Sequence, residues 1–90
     1  SGVLLMELLD HKSIVRGVSF TSDGSFRLVS CSNDCTLKFW DFNHDGNMYK
    51  TVRFNENGML FGCKWSPNVQ LVAAVGMSRC VSIASLDCYF

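Results

Sequence analysis

Two copies of one strand pattern occupy most of this sequence, and that repeat constrains the fold more than any other feature. Residues 20–23 (FTSD) align with residues 65–68 (WSPN) at an offset of 45, and residues 37–39 (LKF) align with residues 81–83 (VSI) at an offset of 44. Runs rich in β-branched and aromatic residues alternate with polar clusters, which is typical of short strands joined by tight turns. The predicted strands are residues 14–20, 27–31, 36–42, 48–54, 60–65, 70–75 and 80–86.

A unit of about 40 to 45 residues with four short strands is typical of one blade of a β-propeller. Nothing in the pattern favours a helix, because turn clusters recur too often along the chain. We therefore predict an all-β chain of about two four-stranded antiparallel blades. Residues 1–9 are interpreted as a strand that completes a preceding blade, residues 10–54 as one repeat and residues 55–90 as a truncated repeat. A closed propeller needs about 4 to 8 blades, so we expect a fragment of a larger protein.

Gly17 interrupts the first predicted strand. Val15, Val18 and Phe20 are spaced by three residues and then by two, which predicts a β-bulge at this point. We expect the missing side chain of Gly17 to permit a close approach of two backbones rather than to contact a phosphate.

The composition excludes several classes of function. Eight Lys and Arg residues balance eight Asp and Glu residues. Because there is no basic excess, we expect no nucleic-acid partner. No apolar stretch approaches the roughly 20 residues that span a bilayer. The five cysteines are an odd number in a chain that opens with no signal peptide. We therefore expect a soluble protein of a reducing intracellular compartment, in the cytoplasm or nucleus, with no membrane partner.

Four polar residues of the first unit are placed to connect its turns. His11 precedes the first strand, Ser30 lies in the second, Asp34 lies in the turn before the third, and Trp40 lies near the end of the third. The pairs Asp34 to His11, His11 to Ser30 and Ser30 to Trp40 each match a donor with an acceptor. We interpret these residues, called the polar tetrad below, as a structural lock. The rest of the third strand alternates inward apolar residues with outward polar ones.

Several stretches of the first unit resemble a WD40 repeat. They are residues 10–11 (DH, with Asp10 where Gly is usual), 22–24 (SDG), 28–34 (LVSCSND) and 36–41 (TLKFWD). The longer stretches DHKSIVRGVSF, LVSCSNDCTLKFWDF and HDGNMYK are similar to the WD-repeat and SOCS-box family. That resemblance implies a propeller that captures protein substrates, and a C-terminal SOCS box that docks elongins B and C to complete a cullin-based ubiquitin ligase. The SOCS box is missing from this sequence, so we assign elongin or cullin binding to none of its residues.

The second unit departs from this pattern. The positions equivalent to the polar tetrad are Glu56, Ala74, Ser78 and Ala84. Alanine side chains neither donate nor accept hydrogen bonds. We therefore interpret the second unit as a degenerate repeat that is held by apolar packing.

Three groups of residues suggest other chemistry, and each has a simpler interpretation. His11, Ser30 and Asp34 are the residue types of a hydrolytic triad, but no strained nucleophile turn or oxyanion donor accompanies them. Residues 44–48 (HDGNM) have too few alternating oxygen ligands for a calcium loop. A metal site would draw its ligands from different strands and turns. Its candidate ligands are Cys31, Cys35, His44 and either Cys63 or Cys80. We expect no catalytic residue, metal or cofactor.

The turns at one end of each blade form the candidate binding surface. In a propeller, the turn before the first strand and the turn between the second and third strands lie around the central channel, and loops of this kind carry binding residues. The residues on these turns, called the partner face below, are Lys12, Ser13, Arg16, Asn33, Glu56, Asn57 and Arg79. We predict a protein-interaction module, with substrate recognition for a ubiquitin ligase as the specific hypothesis. The alternative is a WD40 scaffold with no ubiquitin role.

Overall fold

The structure, a computed structural model, describes residues 2–4, 6–42, 47–53, 59–68, 71–77 and 81–85. Its strands are β1 Val15–Phe20, β2 Arg27–Ser32, β3 Thr36–Asp41, β4 Asn47–Arg53, β5 Leu60–Trp65, β6 Leu71–Gly76 and β7 Val81–Ser85. Sheet A has the order β1-β2-β3-β4 and sheet B has the order β5-β6-β7, and all pairs are antiparallel. Within the described ranges, no helix is long and apolar enough to cross a membrane.

The two antiparallel sheets confirm the all-β fold predicted from the repeat. Each predicted strand boundary lies within one residue of the observed one. Sheet B has three strands in the described residues, and residues 88–90, where a fourth would begin, lie outside them. Residues 2–4 and 6–10 form no strand, and the assignment of residues 1–9 to a preceding blade stays a prediction, as do the boundaries between the repeats.

Polar side chains hold the tight turns of sheet A. Between β1 and β2, Asp23 Oδ1 accepts a hydrogen bond of 2.9 Å from the backbone N–H two residues later, and Gly24 has a φ of 84°. Between β2 and β3, Asp34 Oδ1 accepts a bond of 3.0 Å from the backbone N–H of Thr36, across Cys35 with a φ of 69°. Asp and Gly are common in such turns because a carboxylate replaces a backbone acceptor and Gly tolerates positive φ.

Both faces of sheet A are covered along β2 and β3. The alternating pattern of the third strand predicts that its polar side chains point outward to water, and this prediction is wrong for Thr36 and Lys38. Ser32, Thr36 and Lys38 are only 0%, 1% and 7% exposed. The N-terminal segment approaches this polar face, because Leu8 and His11 line a cavity of about 210 Å³ together with residues of the first three strands. The polar residues are therefore internal groups that need partners.

An apolar core fills the space between the two sheets. The Phe39 and Trp65 rings meet edge to face, with centroids 5.6 Å apart and an interplanar angle of 71°. Burial of one apolar side chain contributes about 1.5 to 3 kcal/mol to the free energy of unfolding before entropy. The shared burial of these side chains therefore joins the two sheets. The buried core residues are Val29, Cys31, Leu37 and Phe39 from sheet A and Leu60, Trp65, Val72 and Ala74 from sheet B.

Strands β1 and β5 come close together at Gly17. The pairing of β1 with β2 shifts register between Val15 and Gly17, which confirms the predicted bulge. A Cβ built on Gly17 would lie 3.2 Å from the Cα of Gly62 in β5. The prediction that Gly17 permits a close approach of two backbones is therefore confirmed.

Gly76 provides a test of strand packing, because a Cβ at this position would clash with the backbone carbonyl O of Met59. We expect Gly76→Ala to lower the free energy of unfolding by about 1 to 3 kcal/mol, since the backbone beside it must move. Gly62→Ala is the matched control, because its Cβ would meet only Val75, at 3.7 Å. Urea unfolding followed by tryptophan fluorescence measures both variants, and equal losses of stability would contradict the expectation.

Candidate functional site

The structure brings the four residues of the polar tetrad into one chain of hydrogen bonds. His11 Nδ1 lies 3.0 Å from Asp34 Oδ2, and His11 Nε2 lies 2.6 Å from Ser30 Oγ. Trp40 Nε1 lies 2.9 Å from the same Ser30 oxygen. Strands β2 and β3 place the hydroxyl and the indole on one face of sheet A, and the turn after β2 places the carboxylate beside the imidazole. This series of hydrogen bonds therefore runs from the middle of sheet A to its turns.

One protonation pattern satisfies every group in the tetrad. An indole N–H only donates and a carboxylate only accepts. With Trp40 donating to Ser30 Oγ, the hydroxyl donates to His11 Nε2, and the Nδ1–H of His11 donates to Asp34. The imidazole is then neutral with its proton on Nδ1, an assignment that follows from the network.

Asp34 connects the tetrad to the backbone. Its Oδ2 accepts a bond of 2.9 Å from the backbone N–H of Lys12, and its Oδ1 accepts from both the hydroxyl and the backbone N–H of Thr36. Burial by itself raises the pKa of this carboxyl, but the donors from Thr36, Lys12 and His11 outweigh burial and hold the pKa of Asp34 well below its usual range. One carboxylate thus joins the segment before β1 to the turn before β3.

The tetrad resembles a hydrolytic triad in composition only. Ser30 is 4% exposed, and its Oγ is bonded both to the Trp40 indole and to the His11 imidazole. A serine nucleophile must instead direct its oxygen at a substrate, next to donors that bind the developing oxyanion. The arrangement therefore supports the turns.

An ion pair between the buried Lys38 and the partly exposed Asp10 accounts for the aspartate at position 10. Lys38 lies on the polar face of sheet A, with its Nζ 2.7 Å from Asp10 Oδ2 and 3.3 Å from Thr51 Oγ1. The hydrogen bond from Lys38 and its positive charge lower the pKa of Asp10. Because an unpaired ammonium in this place would be costly, Asp10 compensates for Lys38. Sequence reasoning missed this pair.

Part of the predicted partner face lies in the described ranges. Lys12, Ser13, Arg16 and Asn33 are described, whereas Glu56, Asn57 and Arg79 lie outside those ranges. Lys12, Ser13 and Arg16 are exposed, and Asn33 is half-buried. The Nε–H of Arg16 donates to Asn33 Oδ1 at 3.0 Å, which joins β1 to the turn before β3. These residues thus lie together at the end of sheet A that carries the turn between β2 and β3, next to the polar tetrad.

Two further side chains extend this surface. Phe61 of β5 is 47% exposed, and its ring centroid lies 5.7 Å from Arg16 Cζ. Arg53 Nη1 lies 3.5 Å from the backbone carbonyl O of Asp34. Sequence reasoning missed both residues, although Phe61 follows Arg16 by 45 residues, the offset that relates the two repeats. The partner face therefore continues from sheet A onto sheet B.

The candidate metal ligands are only partly described. Cys31 is buried, Cys35 and Cys63 are half-buried, and all three are free thiols. No group of three or more His, Cys, Asp and Glu side chains in the described part of the chain could share a metal ion. His44 and Cys80 lie outside that part, as do residues 44–46 of the candidate calcium loop.

Alanines take the place of polar tetrad residues in sheet B. Ala74 corresponds to Ser30, is 1% exposed and belongs to the core between the sheets. Ala84 corresponds to Trp40 and packs against the same core. A polar side chain here would need a hydrogen-bond partner inside an apolar interface. The other two equivalent positions, Glu56 and Ser78, lie outside the described ranges.

Comparison with known sequences relates the chain to proteins with WD repeats. Residues 2–41 match the family model described as WD domain, G-beta repeat. The chain is 42% identical over 89 residues to WD repeat and SOCS box-containing protein 1 of Homo sapiens, which covers 99% of this chain and 21% of that protein. It is 35% identical over 68 residues to nuclear distribution protein nudF 2 of Aspergillus clavatus, which covers 76% of this chain and 15% of that protein. The chain thus spans only about a fifth of the length of the first relative and less of the second.

Comparison with solved structures identifies the same architecture. The crystal structure of the Cps50 (Swd1) β-propeller domain from Myceliophteria thermophila matches with a TM-score of 0.75 and 24% sequence identity. The match covers 88% of this chain and 24% of that one. This similarity confirms the propeller fold.

The pH dependence of stability tests the role of Asp34. Its pKa is lower in the folded state than in the unfolded state, so the carboxylate stabilises the fold above the unfolded pKa of about 3.9, and this contribution is lost as the pH falls toward the folded value. We expect the free energy of unfolding to fall between about pH 5 and pH 3, and Asp34→Asn to be less stable at pH 7 and to lose less on acidification.

Urea unfolding at a series of pH values measures this difference. Glu7→Gln removes one carboxylate from an exposed side chain and is the control for net charge. The expectation is wrong if Asp34→Asn and the unmodified chain lose equal stability over the acidic range.

Proposed function

The chain belongs to the WD40-repeat proteins, and we propose that it contributes to the substrate-recognition propeller of a SOCS-box ubiquitin ligase. The WD40 propeller is an interaction scaffold and is not typically catalytic. The similarity to a SOCS-box relative across 99% of the chain supports the ligase version of this role.

The fixed geometry of the partner face is the observation that carries the proposal. Arg16 is held on one side by Asn33 and on the other by the ring of Phe61. The backbone of Lys12 is held by Asp34, which the tetrad fixes in turn. A surface whose side chains are already positioned loses little conformational entropy when a partner binds. Arg and aromatic residues are also typical anchors of protein interfaces.

The charge of the described partner face favours an acidic partner. Lys12, Arg16 and Arg53 place cationic groups at this end of sheet A, while the carboxylate of Asp34 is turned inward and its side chain is 8% exposed. We infer that the bound segment carries carboxylates that pair with these cations and an apolar side chain that meets Phe61.

The ligase half of the proposal depends on a SOCS box, to which we assign none of these 90 residues. By the resemblance to the SOCS-box relatives, that box would bind elongins B and C and, through them, a cullin. The substrate would then be presented by the propeller. The free thiols of Cys31, Cys35 and Cys63 are compatible with a reducing intracellular compartment, and we propose the cytoplasm or nucleus.

A scaffold with no ubiquitin role is the second candidate. The 35% identity to nuclear distribution protein nudF 2 favours it, because the name of that relative refers to nuclear distribution and not to a SOCS box. In this version the same partner face holds subunits of a complex together.

Affinity purification of the natural product, tagged at its chromosomal locus, tests the two candidates. For the ligase, we expect a product much longer than 90 residues that co-purifies with elongins B and C and a cullin. A product that binds a stable set of other proteins, with no elongin or cullin among them, would contradict the ligase proposal and support the scaffold.

Two matched arginine variants test the partner face. Arg16→Gln removes the cation that contacts Phe61, and Arg27→Gln removes the cation that lies 5.6 Å from the Tyr49 ring at the opposite end of sheet A. We expect Arg16→Gln to reduce captured substrate by about tenfold or more, the effect of one interface anchor, and Arg27→Gln to leave it unchanged.

Quantitative mass spectrometry of the purified complexes measures the substrate relative to elongin in both variants. Unchanged elongin shows that each variant is folded and assembled. Equal substrate capture by the two variants would place the binding surface elsewhere.

A further inference from the structure

Two thiols lie at the interface between the sheets. Cys31 lies on the inner face of β2 and is 0% exposed, and Cys63 lies on β5 and packs against the same core. Both surround Gly17, the residue at which β1 and β5 come together. None of the hydrogen bonds of the polar tetrad involves these cysteines.

The distances around Gly17 place both sulfur atoms beside this residue. Cys63 Sγ lies 3.7 Å from the carbonyl O of Gly17 and 3.9 Å from that of Val29. Cys31 is paired with Gly17 in the β1–β2 ladder, and its Sγ lies 3.2 Å from the place that a Cβ of Gly17 would take. The two cysteine side chains thus lie beside the same glycine, one on each sheet. A larger residue at position 17 would separate them.

We propose that Cys31 and Cys63 are a redox pair, which a peroxide converts into a disulfide that links sheet A to sheet B. Both sheets belong to this chain, and the pair lies on their facing surfaces, so the site is complete within these 90 residues. The proposal does not depend on which partner the propeller binds. Thiols in a reducing compartment form such bonds transiently, in redox sensing.

The reaction balances with hydrogen peroxide as the oxidant. The Cys31 sulfur attacks one peroxide oxygen, the O–O bond breaks, and one water leaves, which gives a sulfenic acid. The Cys63 sulfur then attacks Cys31, the S–S bond forms, and the displaced hydroxide takes the Cys63 proton to leave as a second water. The two sulfurs together lose two electrons, and the peroxide is reduced to two waters.

The environment of the pair favours Cys31 as the sulfur that reacts first. The neighbouring Cys63 thiol lowers the pKa of Cys31, whereas the neighbouring Cys31, together with burial, raises the pKa of Cys63. The thiolate is the nucleophilic form of cysteine. Peroxide is also small enough to enter a buried interface, which a bulky disulfide reagent is not.

The disulfide would act on the partner face. Arg16 belongs to β1 of sheet A and Phe61 belongs to β5 of sheet B, so their contact crosses the same interface. A covalent link between β2 and β5 would restrict movement of one sheet against the other. Oxidation would thereby hold the two halves of the partner face in one arrangement.

Peptide mapping of the oxidised chain tests the proposal. The reduced 90-residue chain is treated with one equivalent of hydrogen peroxide, alkylated with N-ethylmaleimide, and cut with trypsin and endoprotease Asp-N. These enzymes place each cysteine in a separate peptide. The peptides are residues 28–33 with Cys31, 34–38 with Cys35, 54–64 with Cys63, 80–86 with Cys80 and 87–90 with Cys88.

We expect a product lighter by two hydrogen atoms, in which the Cys31 to Cys63 link is about tenfold more abundant than any other, since the fold holds these two sulfurs together. The same treatment in urea is the control, because an unfolded chain favours the shortest loop, between Cys31 and Cys35. Cys35→Ser should keep the native link, and Cys63→Ser should abolish it. The same pairing with and without urea, or a native chain in which Cys31 and Cys63 stay alkylated, would overturn the proposal.

Discussion

The rest of the structure depends on the face-to-face packing of the two sheets. A single sheet of four short strands would leave one apolar face in water, and here the inner faces of sheet A and sheet B cover each other around Phe39 and Trp65. The packing is close because Gly17 has no side chain to separate β1 from β5. Once one face of sheet A is covered in this way, its other face carries the polar groups that organise the turns.

The two faces of sheet A are thus stabilised by different kinds of interaction. The inner face is held by apolar packing, which is non-directional. The opposite face is held by hydrogen bonds that fix particular atoms, from the Trp40 indole to the carboxylate of Asp34. The hydrogen-bonded face ends at the turns that carry Lys12 and Asn33. A surface supported by buried and fully paired groups is more rigid than one supported by loops alone. The same hydrogen bonds that stabilise the blade therefore define the shape of its binding end.

The sequence predicted the parts of the molecule that depend on local chemistry. Turn clusters and β-branched runs located the seven strands that the structure describes. The spacing of polar residues identified four side chains that the structure brings together, those of His11, Ser30, Asp34 and Trp40. It failed where a contact depends on the other face of a sheet or on another sheet. The polar residues of β3 were expected in water and are buried, and the Lys38 to Asp10 pair was not foreseen because it needs that burial to be known. Phe61 was missed because its contact with Arg16 joins two repeats.

Every strand pair in both sheets joins neighbours along the chain. Among the strands that the structure describes, none is inserted between two others, so the ladder of one sheet uses no strand of the other. A gene duplication or deletion of one unit of this length would leave each remaining ladder intact and would require only that the new apolar faces match. Copies of the unit can then diverge separately, as the alanines at the tetrad positions of sheet B illustrate. In such an antiparallel meander, the number of blades can change in evolution while the strand order within each remaining blade stays the same.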